Sequence, residues 1–166
     1  MVREILQENN KTLREQAKSV PVSDISGEKI QKLLSDMRTT LGETEKGVAI
    51  AAPQIGESLR IFVVSPHIFS EDEKKDLVFI NPEITNRSKE ETKVDEGCLS
   101  VDGKYGLVKR AEKVTVRACD ENGNSFMRGA SGLLAQIFQH EIDHLNGVLY
   151  TDIAEEVNDT VKDGKS

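Results

Sequence analysis

Between residues 27 and 41 the apolar positions Ile30, Leu33, Leu34, Met37 and Leu41 recur at three- and four-residue intervals. That spacing makes one stripe on an amphipathic helix. The polar run GETEK then breaks the pattern before Gly47. Two continuous apolar runs follow, Arg60–Val64 and Leu77–Ile80. Both read as buried strands, the second stopped by Asn81-Pro82 because proline cannot donate to a ladder. From Val114 the period changes to two. Val114, Val116 and Ala118 face one way and Thr115, Arg117 and Cys119 the other, and the DENGN run after them is a hairpin turn signal. Residues 132–146 form the most strongly patterned helix, with Gly147 as its stop. Beyond Tyr150 the chain is acidic and polar, and from about Glu155 it is expected to fray or to form a short solvated helix. Strands that are not interleaved with crossover helices predict an α+β fold, mainly antiparallel, over residues 1–154, with 155–166 as a polar tail.

The chemistry concentrates on the second helix. His140-Glu141-Ile142-Asp143-His144 fits H-E-x-x-H. Residues four apart on a helix differ by about 40° around the axis and about 6 Å along it, so both imidazoles can reach one ion. Glu141 flanks that ion without needing to bind it, where a proton shuttle belongs. The bland alternative is a helix with two chance histidines. Leu133 and Ile137 continue into His140 and His144 along one stripe, however, and buried ring nitrogens need partners. A catalytic site needs a third protein ligand. His67, Glu155, Glu156 and Cys98 are the candidates, and spacing leaves them open. The segment Gly47–Gly56 is built of small residues and carries the Gln54 amide. It reads either as a tight loop or as a place where a substrate backbone comes close.

Composition narrows the setting. Of 166 residues, 37% are hydrophobic and 31% charged, which suits one globular domain. A net charge of −7 argues against a non-specific nucleic-acid binder. No apolar run is long enough to span a membrane, and the first residues have neither an apolar signal core nor a transit-peptide composition. The chain therefore reads as intracellular. In a reducing compartment its two cysteines, Cys98 and Cys119, are not expected to pair.

Three segments in order, GVAIAAPQ (47–54), EGCLS (96–100) and QHEIDHLNG (139–147), resemble the peptide deformylase family. Ile5-Leu6-Gln7, Leu13-Arg14, Ala17 and Val20 fit the family's opening pattern, so the likeness runs to about Ile153. The resemblance implies antiparallel sheets packed around a C-terminal helix that carries H-E-x-x-H. It also implies a metal-dependent amidase that removes formyl from the N-terminal formylmethionine of new polypeptides and releases formate. Cys98, His140 and His144 would hold one divalent ion, Fe2+ as the native metal with Zn2+, Ni2+ or Co2+ possible, and water in the fourth position. Glu141 would act as base and then acid, with the Gln54 amide and the Leu99 backbone N–H stabilising the oxyanion. Val48, Ala49, Val94, Leu133 and Ile137 would form the pocket. Glu96, Asp143 and Arg110 would either orient the ligands or make a surface salt bridge.

Partners implied are N-formylmethionyl nascent chains, with a possible ribosome contact. The place is a bacterial-type cytoplasm, or an organelle if a transit peptide has been removed. Two other functions remain open: a zinc endopeptidase with a downstream carboxylate ligand, and a peptide-end binding homologue. The chain departs from the family at Ala49, where glycine is usual, and at Ile50, where leucine is. Asp102 stands where proline is common, and Gln136 where relatives are often apolar.

Overall fold

The computed structural model describes residues 1–44, 47–68 and 77–159. The first apolar stripe folds as helix α1, Glu28–Gly42. Strands β1 (Ala49–Ala51), β2 (Ile61–Val64), β3 (Leu77–Arg87), β4 (Glu91–Cys98), β5 (Val101–Ala111), β6 (Lys113–Cys119) and β7 (Ser125–Ser131) follow. The chain then enters α2 (Gly132–Leu145), α3 (Tyr150–Ile153) and β8 (Glu156–Asp159). One sheet has the order β1-β2-β3-β6-β7 and the other β4-β5-β8, and every pairing in both is antiparallel. The expected α+β class and antiparallel topology therefore hold.

The larger sheet is covered on both faces, which is why β2 reads as an unbroken apolar run. On one face Ile50, Ile61, Val63, Val78 and Ile80 pack against Ile30, Leu33, Leu34, Met37 and Leu41 of α1. On the other, Phe62, Phe79, Val114, Val116 and Ala118 pack against Ala135, Ile137, Phe138, Ile142 and Leu145 of α2. Phe62 and Phe79 stack at 4.6 Å, and Phe138 meets Phe79 edge-on at 4.9 Å. Helix α2 thus sits against the large sheet while also touching β5 of the small one. Its last turn ends at Gly147, with φ of +77° and Arg14 O only 2.5 Å from where a Cβ would lie.

Two expectations are corrected. Strand β3 does not stop at Asn81-Pro82 but runs on to Arg87, with register shifts beginning between Ile80 and Glu83. Asn81 takes φ of +55°, and its side chain exchanges two hydrogen bonds of 2.8 Å with the backbone of Val20. Pro82 falls in this irregularity, where a missing N–H costs no ladder bond. The chain after Glu155 does not fray or coil at once. Residues Glu156–Asp159 pair with Leu107–Lys104 of β5. Gly106 makes this approach possible, since a Cβ there would lie 2.8 Å from Glu156 O. Residues 160–166 of the expected polar tail lie outside the described residues. Both cysteines are free thiols, and among the described residues no helix is long and apolar enough to cross a membrane.

Candidate metal centre and its cavity

Strand β4 ends at Cys98, and α2 carries His140 and His144 one turn apart. The two sheets close around the helix so that one ligand atom from each residue lies within 4.8 Å of the others. Cys98 Sγ is 3.2 Å from His144 Nε2, and the two imidazole rings meet at 4.9 Å between centroids. One thiolate and two imidazoles form a donor set suited to a borderline-soft divalent ion, with a coordination position left for solvent or substrate.

Behind the cluster lies a buried ionic relay. His140 Nδ1 bonds Glu96 Oε1 at 2.7 Å. Arg110 grips the same carboxylate with two hydrogen bonds, 2.6 and 2.8 Å, and reaches Asp143 Oδ2 at 2.8 Å. The Glu96 and Arg110 side chains are 2% and 5% exposed, so this is no surface salt bridge. The relay fixes the ring orientation of His140 and turns its Nε2 toward the cluster. Burial opposes ionisation of Glu96, but the bonds from Arg110 and His140 outweigh it and hold the carboxyl at about 2. His140 is held well above the ordinary imidazole value despite burial, through bonds to Cys98 and Glu96. His144 is held well below it, by burial first and by the neighbouring His140. To hold a divalent ion the two imidazoles would bind as neutral ligands.

The depressed Glu96 value has a testable sign. Its stabilising contribution is complete above the ordinary glutamate value near 4.5 and is lost as pH falls toward 2. In metal-free protein, wild type should exceed Glu96→Gln in unfolding free energy at neutral pH, by an amount on the order of 3 kcal/mol. Denaturant titrations from pH 6 to pH 2 should show that gap closing.

Glu141 is also buried, and burial pushes its carboxyl up to about 7. Its Oε2 lies 4.0 Å from His140 Nε2, and its buried Oε1 has no hydrogen-bond partner among the described residues. An unpartnered carboxylate oxygen costs free energy unless a ligand or water meets it. It borders a cavity of about 570 Å3 that Val48, Ala49, Gln54, Leu99, Leu133 and Ile137 also line, with Cys98 and His140 in its wall. Ile137 is buried and Leu133 sits at the surface, 55% exposed. Val94 does not line this cavity. It is half-buried on β4, four residues before Cys98, so the strand has carried it past the rim.

Gln54 is the third residue of a short 3-10 turn, Ala52–Ile55, and is fully enclosed. Its Oε1 accepts from Ala51 N–H at 2.9 Å, and its Nε2 donates to Ser100 Oγ at 3.1 Å and lies 3.8 Å from Cys98 Sγ. Leu99 occupies the turn between β4 and β5. Ala49 stands in β1 and Asn81 is the only non-glycine residue of positive φ among those described, so alanine in the family's usual glycine place is unstrained. Gln136 lines the cavity too, its Nε2 bonded to Asp95 O at 3.2 Å. Of the other proposed third ligands, Glu155 pairs with Lys93 at the surface at 3.3 Å and Glu156 is exposed on β8. The side chain of His67 lies outside the described part of the structure.

The ordered motifs and this cluster agree with comparison to known proteins. Residues 2–160 match the sequence model of the polypeptide deformylase family. The chain belongs to that family. Its members are metal-dependent hydrolases that remove the N-terminal formyl group from new polypeptides. Peptide deformylase 2 of Clostridium acetobutylicum is 42% identical over 155 residues, covering 93% of this chain and 97% of that protein. A solved peptide deformylase from Legionella pneumophila superposes with a TM-score of 0.83 at 43% identity, covering 93% of this chain and 87% of the other. A class I type b peptide deformylase from Acinetobacter baumannii with Met-Ala-Ser bound also gives 0.83, at 32% identity over 92% of this chain and 98% of that one.

Reading the motifs left some deformylase residues without a role. Ser100 and Gln139 lie inside the matched segments, which was the available signal. Ser100 holds the Gln54 amide, and Ser100 N–H reaches Cys98 Sγ at 3.4 Å. Gln139 clamps α2 to β5 by exchanging bonds of 2.9 and 3.0 Å with the backbone of Ala111. Tyr150, whose ring lies 6.2 Å from that of His140, carried no signal at all.

Proposed function

We propose that Cys98, His140 and His144 hold one divalent ion and that the chain uses it to deformylate N-formylmethionyl peptides. The observation that carries this is the convergence of the three donors beside an unpartnered, buried Glu141 carboxylate. Fe2+ is the native ion in this reading, because the resemblance to the family implies it, and Zn2+, Ni2+ or Co2+ fit the same donors. When bound, the ion polarises the formyl carbonyl and acidifies water.

The protein groups supply the rest. Glu141 Oε1 accepts a proton from the attacking water and returns it to the leaving amine. Gln54 Nε2, held by Ser100 and Ala51, and the Leu99 N–H donate to the oxygen on which negative charge develops. A formyl group offers little surface, so recognition falls on the methionine side chain, which Val48, Ala49, Leu133 and Ile137 receive. Gln136 adds a polar patch to that wall. Met-Ala-Ser in the Acinetobacter relative is what formyl-Met-Ala-Ser leaves after loss of formate, which supports this substrate class. The reaction belongs beside the ribosome in a bacterial-type cytoplasm, where formylated chains emerge.

Purified anaerobically and loaded with Fe2+, Ni2+ or Co2+, the protein should release formate stoichiometrically from formyl-Met-Ala-Ser. An absence of formate with all three metals sinks the proposal. Metal analysis of the protein as isolated decides the ion.

A further inference from the structure

The N-terminal segment Ile5–Glu8 contributes nothing to the metal cluster, yet it is tied to both elements that border the cavity. Leu6 N–H donates to Gln54 O at 2.7 Å. The Gln7 side chain spans the turn after Cys98, its Nε2 donating to Leu99 O at 3.1 Å and its Oε1 accepting from Asp102 N–H at 3.2 Å. Glu8 reaches Lys104 at 3.9 Å, and Ile5 joins Leu99 at the edge of the same apolar cluster. One primary amide thus satisfies a carbonyl and an N–H three residues apart, while Gln54 Nε2 meets the same turn from the cavity side at Ser100 Oγ. Asp102 makes the second bond possible, because proline at that place has no N–H to give.

We propose that Gln7 is a positioning residue for deformylation: it clamps the Leu99–Asp102 turn so that the Leu99 N–H and the Gln54 amide face the same point of the cavity. The inference rests on the roles given to Gln54 and Leu99 above. Gln54 is held at its backbone by Leu6 and Leu99 at its carbonyl by Gln7, so adjacent residues of one segment add to the Gln54–Ser100 bond in holding the two donors together. Donors of this kind act mainly on the transition state, so loosening one lowers kcat more than it raises KM.

The test uses the metal-loaded, full-length protein with formyl-Met-Ala-Ser. Gln7→Ala should lower kcat about fivefold with KM changed less than about twofold, the size expected for two solvent-exposed hydrogen bonds acting through a turn. Metal content and thermal midpoint should stay at wild-type values. Gln7→Glu, which keeps the acceptor for Asp102 N–H but loses the donor to Leu99 O, should fall between the two. If Gln7→Ala keeps wild-type kcat, or loses kcat only in proportion to metal or thermal stability, the positioning role is overturned while deformylation stands. A wild-type protein that releases no formate overturns both.

Discussion

Glu141→Gln should lower kcat by about 10²- to 10⁴-fold, the range of a lost general acid–base, while the protein keeps its metal. The substitution preserves size and burial but replaces the oxygen that accepts a proton with an amide that cannot. Nothing in the donor set changes, since Glu141 approaches His140 only at 4.0 Å and is not one of the three converging ligands. The pH profile should change as well. Burial raises the Glu141 carboxyl to about 7, and a bound cation beside it works in the opposite direction. The acid limb of kcat/KM in the wild type therefore lies at or below about pH 7, with activity lost as pH falls and Glu141 takes up a proton. That limb should vanish from the residual activity of the variant. Near-normal turnover with intact metal would refute the shuttle role.

Cys98→Ser should weaken metal binding by more than about a hundredfold, beyond the loss typical when only an outer partner of a ligand is removed. Serine is nearly the same size, so packing against Tyr150 and Val101 survives, but its hydroxyl does not ionise to a soft anion near neutral pH. Equilibrium dialysis should show the loss. In the Co2+-loaded form the sulfur-to-cobalt charge-transfer absorption should disappear, which separates a lost thiolate bond from general unfolding. A variant that binds Co2+ as tightly as wild type, with that absorption unchanged, would remove Cys98 from the ligand set. The ion would then need another third ligand, and Glu155 and Glu156 are turned to the surface.

Much of the architecture was readable because local periodicity and burial agree. Helices α1 and α2 carry one apolar stripe each and were bounded to within about a residue. Strand β6 alternates because only one of its faces is buried, and its Cys119 falls on the half-exposed side as its position predicts. Reading failed where a residue's usual meaning was overridden from a distance. Asn81-Pro82 signals an ending, but the Val20 backbone supplies bonds that let Asn81 bulge and the strand continue. The polar run Glu156–Asp159 has no apolar pattern, and only the edge of β5 makes it a strand.

The same division runs through the site. By itself the sequence determined that two histidines one helical turn apart face one point with a glutamate beside them, since helix geometry is local. Its ordered motifs determined the family. Spacing alone left Cys98 as one candidate of several until the family resemblance chose it, and left Glu96 and Arg110 divided between ligand support and surface pairing. Tertiary structure brings Cys98 to the two histidines and buries the Glu96–Arg110 pair, because both depend on which strands lie against α2. Pairing of β4 with β5 puts Glu96 opposite Gly106, within reach of the Arg110 side chain farther along β5, and the seating of α2 between the sheets brings His140 onto Glu96 and Cys98 within reach of His144. The Leu6–Gln7 segment shows the same limit at longer range. Its contacts with Gln54, Leu99 and Asp102 cross 48 to 95 positions of sequence, a distance over which no periodicity carries information.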